Sequence, residues 1–287
     1  MPELPEVETV RLQLLHKVKG KTVAQVKVFH LKSTGHDTTF AAKLKHKTFG
    51  HIDRVGKLLI FHFAEEGNVF MLTHLRMTGQ FFYVDQTGVS GGGHSLRPTD
   101  AKNLPNSHTR VAFYFTDHST LFFNDMRLFG YTKLATAAEV TLARSKFGPE
   151  PIMDDFDLPS FTASLKKRHT SIKAALLDQS LIAGLGNIYV DETLFASKVH
   201  PMRLCSTLTK KEITALVLHG GAIMKHAISV GGTTFQHFAD TSGERGNFTD
   251  YLKVFGKQNT ACPVCQNMII KTKVAGRGTH YCATCQK

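Results

Sequence analysis

Four of the five cysteines stand in two C-x-x-C pairs, Cys262-Pro-Val-Cys265 and Cys282-Ala-Thr-Cys285, and this pattern constrains the fold more than any other feature. A C-x-x-C pair straddles a tight turn and brings two thiolates to one edge of a tetrahedron, so two pairs at this separation have zinc-ribbon spacing. Between them, Met268–Val274, the turn Ala275-Gly-Arg-Gly278 and Thr279-His-Tyr281 read as a β-hairpin with too few apolar residues to stand without a metal. Four cysteine ligands leave no open coordination position, so one structural Zn2+ per chain is expected. The alternative is a pair of disulfides in an exported protein. The opening Met-Pro-Glu-Leu-Pro-Glu is acidic and proline-punctuated, unlike a secretory signal, which speaks against it. Cys205 stands alone and reads as a packed, bystander thiol.

The 287 residues are enough for one large domain or two modest ones. No stretch approaches the roughly 20 uninterrupted apolar residues of a membrane span. A cytoplasmic protein is expected. The 35 Lys and Arg against 23 Asp and Glu leave +12, which suits a polyanionic partner. Charge alone would equally fit a merely basic surface. The distribution is more pointed: from Tyr251 to Lys287 there is no acid, while Lys253, Lys257, Lys271, Lys273, Arg277 and Lys287 are all basic. A second basic cluster, Lys166-Lys-Arg-His169 with Lys173, lies mid-chain.

Val7, Val10, Leu14, Leu15 and Val18 recur at helical spacing, predicting a helix from Pro5 to about Val18 that Gly20 stops. The pattern then turns to β. Thr22–Phe29, Phe49–Val55, Lys57–Ala64, Val69–Leu75, Arg110–Thr116 and Thr120–Asn124 read as strands, and Gln86–Ser107 as a mobile loop. Beyond Phe147-Gly-Pro-Glu-Pro151 the reading is helical: Leu158–Lys167, Ser171–Leu177, Asn187–Ser197 and Thr209–Ser229, with a short turn near Phe235. The expected architecture is α+β and multidomain: an N-terminal β-sandwich with a leading helix at 1–134, a linker at 135–157, a helical domain at 158–250 and a zinc hairpin at 251–287.

Met1-Pro-Glu-Leu-Pro-Glu-Val-Glu-Thr9, Gly186-Asn-Ile-Tyr189, Gly231-Gly-Thr-Thr234 and the four-cysteine hairpin occur in this order along the whole chain. Together they closely resemble the formamidopyrimidine-DNA glycosylases, bacterial-type 8-oxoguanine repair enzymes of the helix–two-turn–helix class. The resemblance implies a base-excision DNA glycosylase with AP lyase activity, acting as a monomer on double-stranded DNA that holds oxidised purines or abasic sites.

It also implies roles for particular residues. Pro2, with Met1 removed, presents a secondary α-amine; such an amine has a pKa near 8, so part of it is nucleophilic at pH 7. The resemblance makes it the Schiff-base nucleophile, where otherwise Pro2 is a turn residue. Glu3 becomes the proton donor that opens the sugar ring, with Glu6 beside it; helix-start electrostatics is the plainer reading of both carboxylates. Lys57, by default an exposed strand end, becomes the proton donor for β-elimination. Arg277 becomes a phosphate contact and the proton donor for δ-elimination. Asn187, also a good helix cap, is implied to bind phosphate at a helix start, and His74 and Lys173 are weaker candidates for DNA contacts.

A base taken out of the duplex leaves a gap that side chains fill. Met77, in His74-Leu-Arg-Met77-Thr-Gly79, and Arg127 with Phe129, in Asp125-Met-Arg127-Leu-Phe129-Gly, match the three void-filling positions of the resembled family. Taken singly they are two core residues and a surface charge. Met126 and Leu128 depart from the family, where a proline and a second basic residue are common. The triad favours 8-oxoguanine opposite cytosine over the oxidised pyrimidines of the endonuclease VIII group. Residues 230–247 are implied to hold the loop that closes over the flipped base. A silent damage-binding protein and a general zinc-ribbon nucleic-acid module remain as alternatives; the first does not require Pro2, Glu3 and Lys57 together, and the second leaves the first nine residues unexplained.

Overall fold

A computed structural model of the chain describes residues 1–65, 67–93, 103–233 and 248–287. It divides into two compact units: Met1–Ser145 with Val230–Thr249, and Lys146–Ser229 with Asp250–Lys287. Val230–Thr249 thus belongs with the first unit, whereas the expected helical domain at 158–250 would have held it. Residues 135–157, expected as a linker, begin with helix α3 (Ala137–Arg144), which closes the first unit.

The first unit opens with α1 (Leu4–Val18), whose Pro5 lies in the first turn, where its missing N–H costs nothing. Two antiparallel sheets follow. One has the order β1 (Val23–Val28), β7 (Thr109–Phe115), β8 (Thr120–Asp125), β5 (Gly79–Asp85) and β6 (Gly88–Gly93). The other has the order β2 (Phe49–Val55), β3 (Leu58–Phe63), β4 (Phe70–His74) and β9 (Tyr131–Ala135). An apolar core draws Val7, Val10 and Leu14 from α1, Ile52, Leu59 and Met71 from the second sheet, and Val26, Phe81 and Phe123 from the first. Phe49 sits edge-on to Phe61 of its own sheet (5.8 Å) and to Phe113 of the other (5.9 Å). Such pairs add about 0.5–1.5 kcal/mol each beyond the area they bury. The expected sandwich with a leading helix is present.

The six expected strands form, with ends shifted by a residue or so. Three further strands were hidden from the sequence. β6 falls inside the expected 86–107 loop because Gly88-Val-Ser-Gly-Gly-Gly93 has little strand propensity of its own; pairing with β5, from Asp85↔Gly88 to Gln80↔Gly93, supplies the order. Residues 94–102 lie outside the described ones. A short helix α2 (Phe40–Leu44) also fills a gap in the expected pattern.

In the second unit the helices are α4 (Leu158–Lys166), α5 (Ile172–Leu177), α6 (Asn187–Ala196) and α7 (Lys210–Ser229). Asp157 caps α4 and Ser171 caps α5, each accepting from the backbone N–H three residues on. Between α5 and α6 the chain turns at 179–181 and bends at 182–184. Gln179 holds this stretch together: its Nε2 donates to Leu177 O and Leu185 O, and its Oε1 accepts from Gly184 N. The unit ends in a hairpin of β10 (Ile270–Val274) and β11 (Arg277–Tyr281). Its turn is narrower than expected. Ala275 and Gly276 both have positive φ, so two residues make the turn and Arg277 opens the second strand opposite Val274. The turn expected near Phe235 lies outside the described residues. Among those described, no helix is long and apolar enough to cross a membrane. Cys205 is buried, and burial pushes its thiol pKa up, as suits a packed thiol.

Candidate active site

In the first unit, Glu3 is the N-cap of α1 and is only 3% exposed. Glu6, one turn on, reaches back: its Oε2 accepts from the Glu3 N–H at 2.8 Å. Its Oε1 accepts from both the N–H and the hydroxyl of Thr233, each at 2.8 Å. One carboxylate therefore fixes the start of the chain to the segment that leads into residues 234–247. Of the loop expected over the flipped base at 230–247, all beyond Thr233 lies outside the described residues. Pro2 is buried and Met1 is exposed.

Lys57 follows Gly56 in the turn between β2 and β3 and is buried. A second carboxylate ties this turn to α1. Glu8 accepts from Arg11 and, at 2.8 Å, from Arg54 Nε, while Arg54 Nη1 donates to Gly56 O at 2.9 Å. Burial opposes ionisation of Glu8, but the two guanidinium groups outweigh it and hold its pKa below the usual carboxylate value. Glu8 and Arg54 are organisers that sequence reasoning missed. Their signal was faint: an acid and a base near the implied site residues, on elements whose pairing only the fold reveals.

Met77 (40% exposed) and Phe129 (49% exposed) stand in the loops β4–β5 and β8–β9. The Arg127 guanidinium lies 4.7 Å from the centre of the Phe129 ring, and its Nη1 is 3.4 Å from the Met77 sulfur. Three residues from two loops about fifty positions apart thus form one exposed cluster. His74, implied as a weaker candidate for a DNA contact, stands at the end of β4. Burial first, then the charges of Arg76 and Lys57, push its pKa down to about 3, so it is neutral at pH 7. Its Nδ1 accepts from the Arg76 N–H at 3.0 Å, which leaves the ring proton on Nε2. It can offer a phosphate a neutral N–H donor.

The second unit carries the other implied residues. Arg277 is exposed at the start of β11. Lys173 is placed differently from the expected DNA contact. It is fully buried, with Nζ 2.6 Å from Asp191 Oδ1 and 3.2 Å from Gly278 O, and no surface is left for a phosphate. The reason is that Asp191 is buried on α6 and needs a countercharge. Asp191 Oδ2 also accepts from the His280 N–H at 2.8 Å. Asn187, the first residue of α6, donates from Nδ2 to the same Gly278 carbonyl at 2.9 Å. Glu192 binds the N–H groups of Lys253, Val254 and Phe255, although burial still raises its carboxyl pKa. Two adjacent acids in the apolar run Tyr189-Val-Asp-Glu-Thr-Leu-Phe195 were the available sign of these anchors.

The four cysteines converge, their Sγ atoms all within 4.8 Å of one another. Cys262 and Cys285 are 3.9 Å apart and Cys265 and Cys282 3.4 Å. Zn–S bonds of about 2.3 Å in a tetrahedron put sulfurs about 3.8 Å apart, so the donors fit zinc. Val264 N–H points at the Cys262 sulfur at 3.4 Å. Phe195 of α6, Val254 and Ile269 pack with Cys262 and Cys282, giving the hairpin a small core.

A buried chain start, an exposed cluster of arginine, methionine and phenylalanine, a two-turn helical pair and a four-thiolate hairpin define a DNA glycosylase of the helix–two-turn–helix class. Residues 1–132 match the formamidopyrimidine-DNA glycosylase N-terminal domain, 147–239 its H2TH domain, and 261–287 the zinc finger found in FPG and IleRS. The chain belongs to the formamidopyrimidine-DNA glycosylase family. It is 42% identical over 285 residues to the formamidopyrimidine-DNA glycosylase of Lactiplantibacillus plantarum, covering 98% of each chain. It is 38% identical to that of Oceanobacillus iheyensis, covering 100% of this chain and 98% of that one. Among solved structures it resembles Lactococcus lactis Fpg in complex with an abasic site containing DNA, with TM-score 0.87, 33% identity and 99% of each chain covered. It also resembles MutM in complex with carbocyclic 8-oxo-G containing DNA, with TM-score 0.85, 33% identity and all of both chains covered.

Proposed function

We propose that the chain excises oxidised purines, 8-oxoguanine and formamidopyrimidines, from duplex DNA and then cuts the strand, as a monomer in the cytoplasm at the chromosomal DNA. One observation carries the reading. Chain ends usually fray, yet here Pro2 and Glu3 are buried and Glu6 hydrogen-bonds the Glu3 N–H. Holding a terminus this firmly has a use if its amine is the reacting group.

With Met1 removed, the Pro2 nitrogen attacks the sugar C1′ and the bond from C1′ to the base breaks, the base leaving with a proton. Glu3 protonates the ring oxygen as the ring opens. The resulting iminium draws electrons from C2′, which loses a proton as the 3′-phosphate leaves, and a second elimination expels the 5′-phosphate. Lys57 serves the first elimination and Arg277 the second. Arg277, Asn187 and neutral His74 hold phosphates, and Met77, Arg127 and Phe129 fill the gap left by the base. Zinc held by Cys262, Cys265, Cys282 and Cys285 supplies folding energy to the hairpin that carries Arg277, and takes no part in the chemistry.

Borohydride trapping on a duplex with 8-oxoguanine opposite cytosine tests the reading. A covalent adduct mapped to Pro2 is expected. Absence of any adduct from protein shown to start at Pro2 would overturn it, and stronger trapping on an oxidised pyrimidine would move the chain to the endonuclease VIII type of substrate.

A further inference from the structure

The cluster of Met77, Arg127 and Phe129 is carried by two loops, and one fully buried carboxylate lies behind both. Asp125, at the end of β8, is 0% exposed. Its Oδ1 accepts from the Thr78 hydroxyl in the first loop and from the Arg127 N–H in the second (3.2 Å). Its Oδ2 accepts from the Gly130 N–H at 2.7 Å. The Thr78 hydroxyl oxygen is also 3.1 Å from the Arg127 nitrogen, so the loops are joined directly as well. From the other side, Arg110 Nε donates to the Asp125 carbonyl at 2.7 Å, and Arg110 Nη1 to Ser107 O at 3.0 Å.

Each loop holds a conformation that costs free energy. Arg76 (φ 53°) and Leu128 (φ 55°) are left-handed without being glycine. Conformations of this kind are unfavourable for a residue with a Cβ and persist where the surroundings over-determine them. The loops also end on glycines with no room for a side chain. A Cβ on Gly79 would lie 2.5 Å from Leu75 O, and one on Gly130 would lie 3.1 Å from His74 O and 3.2 Å from Asp125 Oδ2. The exposed tips are therefore mounted on a buried, fully hydrogen-bonded base.

We propose that Asp125 is a positioning residue that clamps the two loops into one preformed wedge, so that Arg127 meets the unpaired base in a fixed geometry. This rests on the reading of Met77, Arg127 and Phe129 as void-filling residues. Thr78 is the second member of the clamp. A wedge assembled in advance spends no binding energy on ordering long side chains, and a directional contact keeps its selectivity only when its donors are held in place.

The test uses the full-length, zinc-loaded protein and single-turnover excision of 8-oxoguanine opposite cytosine and opposite adenine. Asp125→Asn is nearly isosteric, yet whichever way its amide turns, an NH2 group faces an N–H donor of one loop. The expected result is a fall in the cytosine-to-adenine ratio of about tenfold, within the roughly hundredfold cost of a 1 Å misplacement. Cleavage of a single-stranded abasic site, which needs no wedge, should stay within about twofold, a split that general destabilisation would not produce. Thr78→Ala should act in the same direction, and it carries the test alone if Asp125→Asn does not fold. Adding Thr78→Ala to Arg127→Ala should lower the ratio no further, because the clamp acts through Arg127.

Two failures are distinguishable. If Arg127→Ala itself leaves the ratio unchanged, the void-filling reading falls and the clamp with it. If Arg127→Ala collapses the ratio while folded Asp125→Asn and Thr78→Ala both preserve it, the clamp alone is overturned.

Discussion

Pro2 and Glu3 are held at the head of α1 by Glu6, so a substitution at Pro2 should alter chemistry and little else. Pro2→Gly replaces a secondary amine by a primary, more mobile one. Base excision should nearly vanish while affinity for a damaged duplex stays within a few fold, measured by single-turnover kinetics and by titration. Full excision by protein with a chemically blocked N-terminus would remove the nucleophile assignment. His74 makes a different prediction. Its folded pKa of about 3 lies below the unfolded value of 6.5, so between these pH values the unfolded chain binds the extra proton. Stability from this residue is therefore complete above pH 6.5 and lost as pH falls towards 3. At about 1.4 kcal/mol per pH unit, the wild type should lose up to about 2 kcal/mol more than His74→Gln between pH 7 and 5. Chemical denaturation at the two pH values measures the difference, and parallel losses would show that His74 is solvated.

At the scale of elements, the hairpin of β10 and β11 is mounted on α6 through Asp191 and Asn187 and on α5 through Lys173. Lys173 and Arg277, both basic and both near the hairpin turn, should behave oppositely. Arg277→Ala should cost little stability, weaken binding to damaged and undamaged duplex alike, and reduce the slope of log K against log salt by about one. Lys173→Ala leaves Asp191 buried without its countercharge and should destabilise by about 3–5 kcal/mol. A salt slope unchanged in folded Arg277→Ala would make that arginine a plain strand residue. The sequence distinguished these two poorly, because burial of a charge depends on a partner that only the fold supplies. It was clear where local chemistry decides: the cysteine pairs, the helical spacing of α1, and the strands rich in branched and aromatic residues. It was silent on β6, whose glycines gain their order by pairing with β5, and on Asp125, and it gave only a faint sign of Glu8 and Asp191, whose roles depend on contacts between distant segments.

For the whole molecule, zinc should matter to one unit only. Chelation should disorder the Cys262–Cys285 hairpin and suppress DNA binding while the β-sandwich of the first unit stays folded, as followed by near-UV signals of its tyrosines and by hydrogen exchange. One zinc per chain is expected by elemental analysis. Loss of sandwich protection on chelation would show that the two units unfold together.

The chain passes between the two units three times, at 145/146, 229/230 and 249/250, so neither unit is a continuous stretch of sequence. Synthesis proceeds from the N-terminus, and domains ordinarily fold as they emerge from the ribosome. Here the earliest residues must wait. Glu6 cannot receive its hydrogen bonds from Thr233 until more than three-quarters of the polypeptide has been made, and the zinc ligands Cys282 and Cys285 come almost at the very end. A chain made only as far as its middle therefore has Pro2 but lacks the partner that fixes Glu6 and the hairpin that carries Arg277. On the proposed roles, a product that stops short of Thr233 would hold the Pro2 nucleophile without a fixed Glu6 and without the Arg277 that serves the second elimination.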